Sequence, residues 1–175
     1  MLSFDIRSLE AKAVHVDGSV APDDPIWEKG DIVPAEPIRL TGRLSSASEG
    51  RFYFSGRLEG RIRMACRLCL EEVDAEVDEE AHFLLAGIGA EEADDPEVFL
   101  YDPNARMIDL RPAVRETWLL EVPTYVQCSE DCKGLCPTCG INLNESTCHC
   151  STTTTDPRWD VLRKHQSKRT SSSNN

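Results

Sequence analysis

Eight cysteines constrain this chain more than any other residue type, and six of them crowd between positions 128 and 150. They read Cys128-x3-Cys132-x3-Cys136-x2-Cys139-x8-Cys148-x-Cys150, with a further Cys66-x2-Cys69 far upstream. So many thiols in so short a stretch cannot be a packed core. They require either disulfides or a metal. The opening residues, Met1 to Arg7, include Asp5 and no long apolar run, so no secretory signal is expected. Nothing approaches the length of a membrane span. A reducing, cytoplasmic setting is therefore the expectation, and there Cys-x2-Cys pairs bind zinc more often than they form disulfides.

Cys136-Pro137-Thr138-Cys139-Gly140 has the form of a zinc knuckle. Two cysteines three apart in a tight turn reach one ion, and Gly140 permits a backbone conformation that other residues resist. Cys148-His149-Cys150 supplies two more thiols from one side of an extended segment. Four thiolates, Cys136, Cys139, Cys148 and Cys150, close a tetrahedral structural site with no open position for a substrate. The remaining Cys66, Cys69, Cys128 and Cys132 are enough for a second site joining the upstream pair to the start of the cysteine-rich stretch. Their number suggests this; their spacing does not prove it. His149 could replace a cysteine, but in an extended segment its side chain would point away from its two neighbours, so it reads as a bystander.

Residues 52–66 and 73–85 alternate with period two, the mark of half-buried strands. Phe52, Phe54, Leu58 and Ile62 share one face of the first run, and Val73, Ala75, Val77, Phe83 and Leu85 share one face of the second. Folding the two at Arg67-Leu68 sets Arg63 against Glu72, Arg61 against Asp74 and Arg57 against Asp78, three consistent cross-strand ion pairs. The alternation of Ile38, Leu40 and Leu44 adds a third strand, followed by a polar loop from Ser45 to Gly50. Leu2, Phe4 and Ile6 suggest a short N-terminal strand, and Val98 to Tyr101 another. Residues 17–37 read as an irregular crossing rich in proline. Leu110, Val114, Trp118 and Val122 form a helical stripe capped by Asp109 and stopped by Pro123. The fold class expected is α+β: an antiparallel β-meander packed by one main helix, with a C-terminal zinc-ribbon-like cysteine cluster. Residues 1–124 form the β-rich domain with its helix, 125–157 the cysteine-rich zinc-binding segment, and 158–175 a basic tail with a disordered end.

A net charge of −12 argues against general coating of nucleic acid, which depends on Lys and Arg. The tail departs from this, with Arg158, Arg163, Lys164, Lys168 and Arg169 against the single acid Asp160. An acidic body with a basic tail suits a basic protein partner, or RNA contacted through the tail alone. The acidic run from Glu91 to Glu97 could face such a protein, although most such runs are solvated surface. No phosphate-binding Gly-rich loop, nucleophile elbow or His-Glu-x2-His helix is present. Cys66-Arg67-Leu68-Cys69 sits in an antiparallel hairpin rather than at the start of a helix after a strand, so a thiol redox role is the weaker reading. The expectation is a protein that is not an enzyme and takes no small-molecule substrate.

Asp131-Cys132-Lys133-Gly134-Leu135-Cys136-Pro137-Thr138-Cys139-Gly140-Ile141-Asn142-Leu143-Asn144, then Cys148-x-Cys150 and Asp156-Pro157-Arg158-Trp159, resembles the signature of the bacterial YceD family. Cys66-Arg67-Leu68-Cys69-Leu70-Glu71 and Asp109-Leu110 with its helix follow the same family order. The resemblance covers about residues 38 to 165. It implies a role in large-subunit ribosomal RNA accumulation, hence ribosome biogenesis, with a large-subunit precursor, a basic ribosomal protein or rRNA as partner. Chaperoning a basic ribosomal protein reconciles that role with the acidic body. A generic zinc-stabilised interaction adaptor is the alternative.

Overall fold

Alternation over residues 52–66 and 73–85 becomes the central strand pair of a five-stranded sheet. The computed structural model describes residues 2–48, 50–90, 95 and 98–150. These divide into two units, one formed by residues 2–67 with Glu71–Cys128, the other by Leu68–Leu70 with residues 129–150.

The first unit contains β1 (Ser3–Asp5), α1 (Ile6–Ala11), β2 (Val14–Val20), β3 (Ile38–Ser48), β4 (Arg51–Ala65), β5 (Glu72–Gly87), β6 (Val98–Tyr101), β7 (Met107–Asp109) and α2 (Arg111–Glu121). Strands β2-β3-β4-β5-β6 form one sheet in that order, and β1 pairs with β7. Neighbours from β2 to β5 are antiparallel, whereas β6 runs parallel to β5. The expected three-stranded meander is thus the middle of a wider sheet. Strand β2 occupies the start of the stretch read as irregular, because only Val16 and Val20 are buried there, around Asp17, Gly18 and Ser19. The polar stretch read as a loop is largely strand: β3 pairs with β4 as far as Ser48 against Arg51, across a register shift. The helix expected from the stripe is α2, and α1 adds a second, capped by Asp5 accepting the Ser8 N–H at 3.2 Å. Asp109 accepts the Arg111 N–H at 3.0 Å, although Leu110 holds the cap position of α2.

The β4–β5 register lies two residues from the expected one. Arg63 stands opposite Asp74, Arg61 opposite Glu76 and Arg57 opposite Glu80. Arg63 binds Asp74 at 2.8 Å and Arg61 binds Glu76 at 2.9 Å, while Arg57 reaches diagonally to Asp78. The shift arises because the hairpin turn is wider than two residues: the Cys66 N–H donates to the Glu71 carbonyl at 2.7 Å. A two-residue slip preserves both faces of a strand, so the core expected from alternation is unchanged. Phe52, Phe54, Leu58, Ile62, Val77 and Leu85 are buried. Phe54 and Phe83 stack at 4.7 Å between centroids. Val114 and Trp118 of α2 join this core, and the Trp118 indole donates to the Ile32 carbonyl at 2.7 Å. A buried indole with its N–H satisfied combines a large apolar surface with no stranded donor.

Candidate metal centre

In the second unit the sulfurs of Cys136, Cys139, Cys148 and Cys150 all lie within 4.8 Å of one another. The expected ribbon reduces, among the described residues, to a bridge between Leu135 and Asn142. Backbone hydrogen bonds shape the knuckle. The Cys136 N–H donates to the Ile141 carbonyl and the Gly140 N–H to the Cys136 carbonyl, each at 2.9 Å. Gly140 takes φ 73°, in the left-handed region that side chains resist, with nothing near its Cα on the side a Cβ would occupy. Gly134, at φ 70°, carries a second restriction. A Cβ there would sit 2.9 Å from the Leu68 carbonyl oxygen, which the Leu135 N–H already engages at 2.9 Å.

Asn142 and Asn144 carry no thiol, and cysteine spacing passes over them, yet they brace the same turn. The Asn142 side-chain oxygen accepts the Asn144 N–H at 3.0 Å. The Asn144 side chain accepts the Lys133 N–H at 2.8 Å and donates to the Cys132 sulfur at 3.4 Å. An N–H aimed at sulfur fixes the direction in which that sulfur is held.

The chemistry of the four sulfurs fits a cation. The Cys139 and Thr138 N–H groups, then the Cys148 thiol, bring the Cys136 thiol down to about 6. The Cys150 N–H lowers Cys148, but its hydrogen bond to Cys136, burial and neighbouring thiolate charge outweigh that and raise it. Cys150 is raised as well, first by its bond to the Cys139 sulfur. Packed together, four thiols cannot all ionise unless positive charge is supplied. Tetrahedral zinc–thiolate geometry places sulfurs about 3.8 Å apart, given bonds of about 2.3 Å. Sulfurs already within 4.8 Å of one another meet that arrangement with small movements.

Of the other four cysteines, each unit holds a close pair. In the first unit the sulfurs of Cys66 and Cys128 lie within 4.8 Å, and the Cys128 N–H donates to the Cys66 sulfur at 3.4 Å. In the second, the sulfurs of Cys69 and Cys132 are equally close. The upstream Cys-x2-Cys repeats the geometry of the downstream one. Each first cysteine donates its N–H to the carbonyl five residues on, Glu71 or Ile141. Each residue after the second cysteine has positive φ, 64° at Leu70 and 73° at Gly140. A leucine at such a position hides the knuckle from a reading that looks for glycine.

The tail residues Arg158, Arg163, Lys164, Lys168 and Arg169 lie outside the described residues, as do most of Glu91 to Glu97. Among the described residues no helix is long and apolar enough to cross a membrane.

The model of the family described as "Large ribosomal RNA subunit accumulation protein YceD" matches residues 54–164. The chain is 34% identical over 62 residues to "Large ribosomal RNA subunit accumulation protein YCED homolog 1, chloroplastic" of Arabidopsis thaliana, a match covering 35% of this chain and 19% of that protein. It is 24% identical over 162 residues to "Uncharacterized protein YlbN" of Bacillus subtilis (strain 168), covering 92% of each. No solved structure matches.

Proposed function

We propose that this chain, which belongs to the YceD family, is a ribosome biogenesis factor that supports accumulation of large-subunit ribosomal RNA without catalysing a reaction. The observation that carries the reading is the family match over residues 54–164, which spans both cysteine pairs of the knuckles and the helix α2. The family description speaks of large-subunit rRNA, and the net charge of −12 favours a basic protein as the direct contact. The partner is a large-subunit precursor, reached through a basic ribosomal protein, or through rRNA at Arg158, Arg163, Lys164, Lys168 and Arg169. The setting is the cytoplasm.

In this reading Cys136, Cys139, Cys148 and Cys150 hold one zinc ion, and Cys66, Cys69, Cys128 and Cys132 hold a second. The second set is supported by the short links within the chain, from Cys66 to Cys69 and from Cys128 to Cys132, and by the knuckle geometry repeated at Cys66. Bound zinc would neutralise thiolate charge and cross-link the segments that carry the ligands, a structural contribution with no open position for a substrate. The protein's own groups direct the sulfurs: the Thr138 and Cys139 N–H groups at Cys136, and Asn144 at Cys132.

The test is affinity capture of the full chain from cells at low salt, with protein and RNA identified together. Large-subunit precursors should dominate. Recovery of an unrelated set of proteins with no enrichment of large-subunit RNA would overturn the proposal in favour of a general adaptor.

A further inference from the structure

Apart from its cysteines, the first unit carries a groove of about 470 Å³ with an apolar floor and an acidic rim. Its apolar lining includes Phe99 of β6 and Leu120 of α2, backed by the buried Phe83 of β5. Phe83 and Phe99 meet edge to face at 5.6 Å. Leu120 is 75% exposed, turned away from the side of α2 that buries Val114 and Trp118. The rim carries Glu80, Asp95, Glu116 and Glu121, and no Lys or Arg is among the described lining residues. Tyr53 and His82 line it too, joined by a hydrogen bond of 3.1 Å.

These features select an occupant. Exposed Leu120 beside the half-buried Phe99 in a concave surface favours an apolar side chain that displaces water. Glu116 and Glu121, with Glu80 3.6 Å from His82, would repel phosphate, and a second copy of this chain would bring a net charge of −12 of its own. A peptide with several spaced cations and one apolar anchor satisfies both floor and rim. We propose that this groove receives a Lys- and Arg-rich segment of a protein partner, with an aliphatic or aromatic side chain seated against Phe99 and Leu120. This rests on the assembly reading above and narrows it to contact through a basic protein.

The probe is a short fluorescein-labelled peptide of Lys and Arg around a central Leu, titrated with the full chain at low salt. Replacing that Leu by Gly in the peptide should weaken binding roughly tenfold, the share of one buried aliphatic side chain. Glu116→Gln with Glu121→Gln should weaken it roughly fivefold through two lost rim charges. Glu10→Gln with Glu59→Gln removes the same net charge away from the groove and should leave affinity within about twofold. Circular dichroism confirms that the exposed substitutions leave the fold intact. Equal losses in the two double variants would overturn the proposal, since net charge alone would then explain binding. So would no binding at all. So would much tighter binding after Lys164→Glu with Lys168→Glu, which would make the chain's own tail the occupant. Capture of large-subunit precursors without peptide binding would sink the groove and leave the assembly role standing. Peptide binding without such capture would do the reverse.

Discussion

Replacing Gly134 and Gly140 separately by Ala distinguishes two demands that the thiol-bearing turn makes on its backbone. Both glycines sit at nearly the same positive φ, 70° and 73°. An L-residue in that conformation costs about 1–2 kcal/mol, partly offset by about 0.4–1 kcal/mol because alanine restricts the unfolded chain. Gly140 has open space where its Cβ would go, so Gly140→Ala should cost about 1 kcal/mol and no more than that balance allows. At Gly134 the new Cβ would press on the Leu68 carbonyl at 2.9 Å, a backbone atom that cannot rotate aside. Overpacking of this kind adds about 1–3 kcal/mol, so Gly134→Ala should cost about 2–4 kcal/mol. Because metal binding and folding of such a segment are linked, the loss reads out as zinc affinity in competition with a chromogenic chelator. The expected losses are about fivefold for Gly140→Ala and about a hundredfold for Gly134→Ala, using tenfold per 1.4 kcal/mol. Equal losses for both, or a larger one at Gly140, would refute the assignment of a steric role to Gly134.

Native mass spectrometry of protein purified without chelator should find two zinc ions per chain, with one lost on Cys136→Ser with Cys139→Ser and one on Cys66→Ser with Cys69→Ser; a single ion unaffected by the second variant would leave Cys66 and Cys69 as plain thiols. Trp118→Ala should destabilise the first unit by about 3–5 kcal/mol in urea denaturation, because it empties a fully buried site; a loss under about 1 kcal/mol would contradict its place in the core. The carboxyls of Asp17, Asp31, Asp74 and Asp78 are held below the ordinary value of 3.8, first by hydrogen bonds from Arg39, Arg115, Arg63 and Arg57. Lowered carboxyl values mean stabilisation that is present above 3.8 and lost as pH falls through the folded-state values, so thermal melting points should hold near pH 5 and fall gently below about pH 4. Melting points that rise on acidification would contradict that sign.

Particular residues show where the sequence was legible. The core faces of β4 and β5 follow from strict alternation, and they survive a two-residue error in register because a strand repeats every two residues. The register itself was hidden by the turn, where Leu70 adopts a positive φ that glycine usually occupies. The stripe Leu110, Val114, Trp118 and Val122 announces α2, since four-residue spacing on an apolar face has few other readings. Strand β2 was obscured by Asp17, Gly18 and Ser19, whose low strand propensity is overridden by full pairing with β3. The grouping of Cys136, Cys139, Cys148 and Cys150 was legible because ligand spacing is set by the reach of a short turn. The bracing role of Asn142 and Asn144 was not, although both stand in the family signature, because their hydrogen bonds depend on where the turn places Lys133 and Cys132. The groove lining draws Phe83, Phe99 and Leu120 from three separate elements, which no local pattern joins.

The most direct measurement of the central claim is the ratio of large- to small-subunit rRNA in cells that lack this chain and are complemented with it or with its Cys136→Ser and Cys139→Ser variant. The account predicts a lowered ratio without the chain, restored by the intact protein and not by the variant at matched expression. An unchanged ratio without the chain, or full rescue by the variant after confirmed loss of its metal, would contradict it.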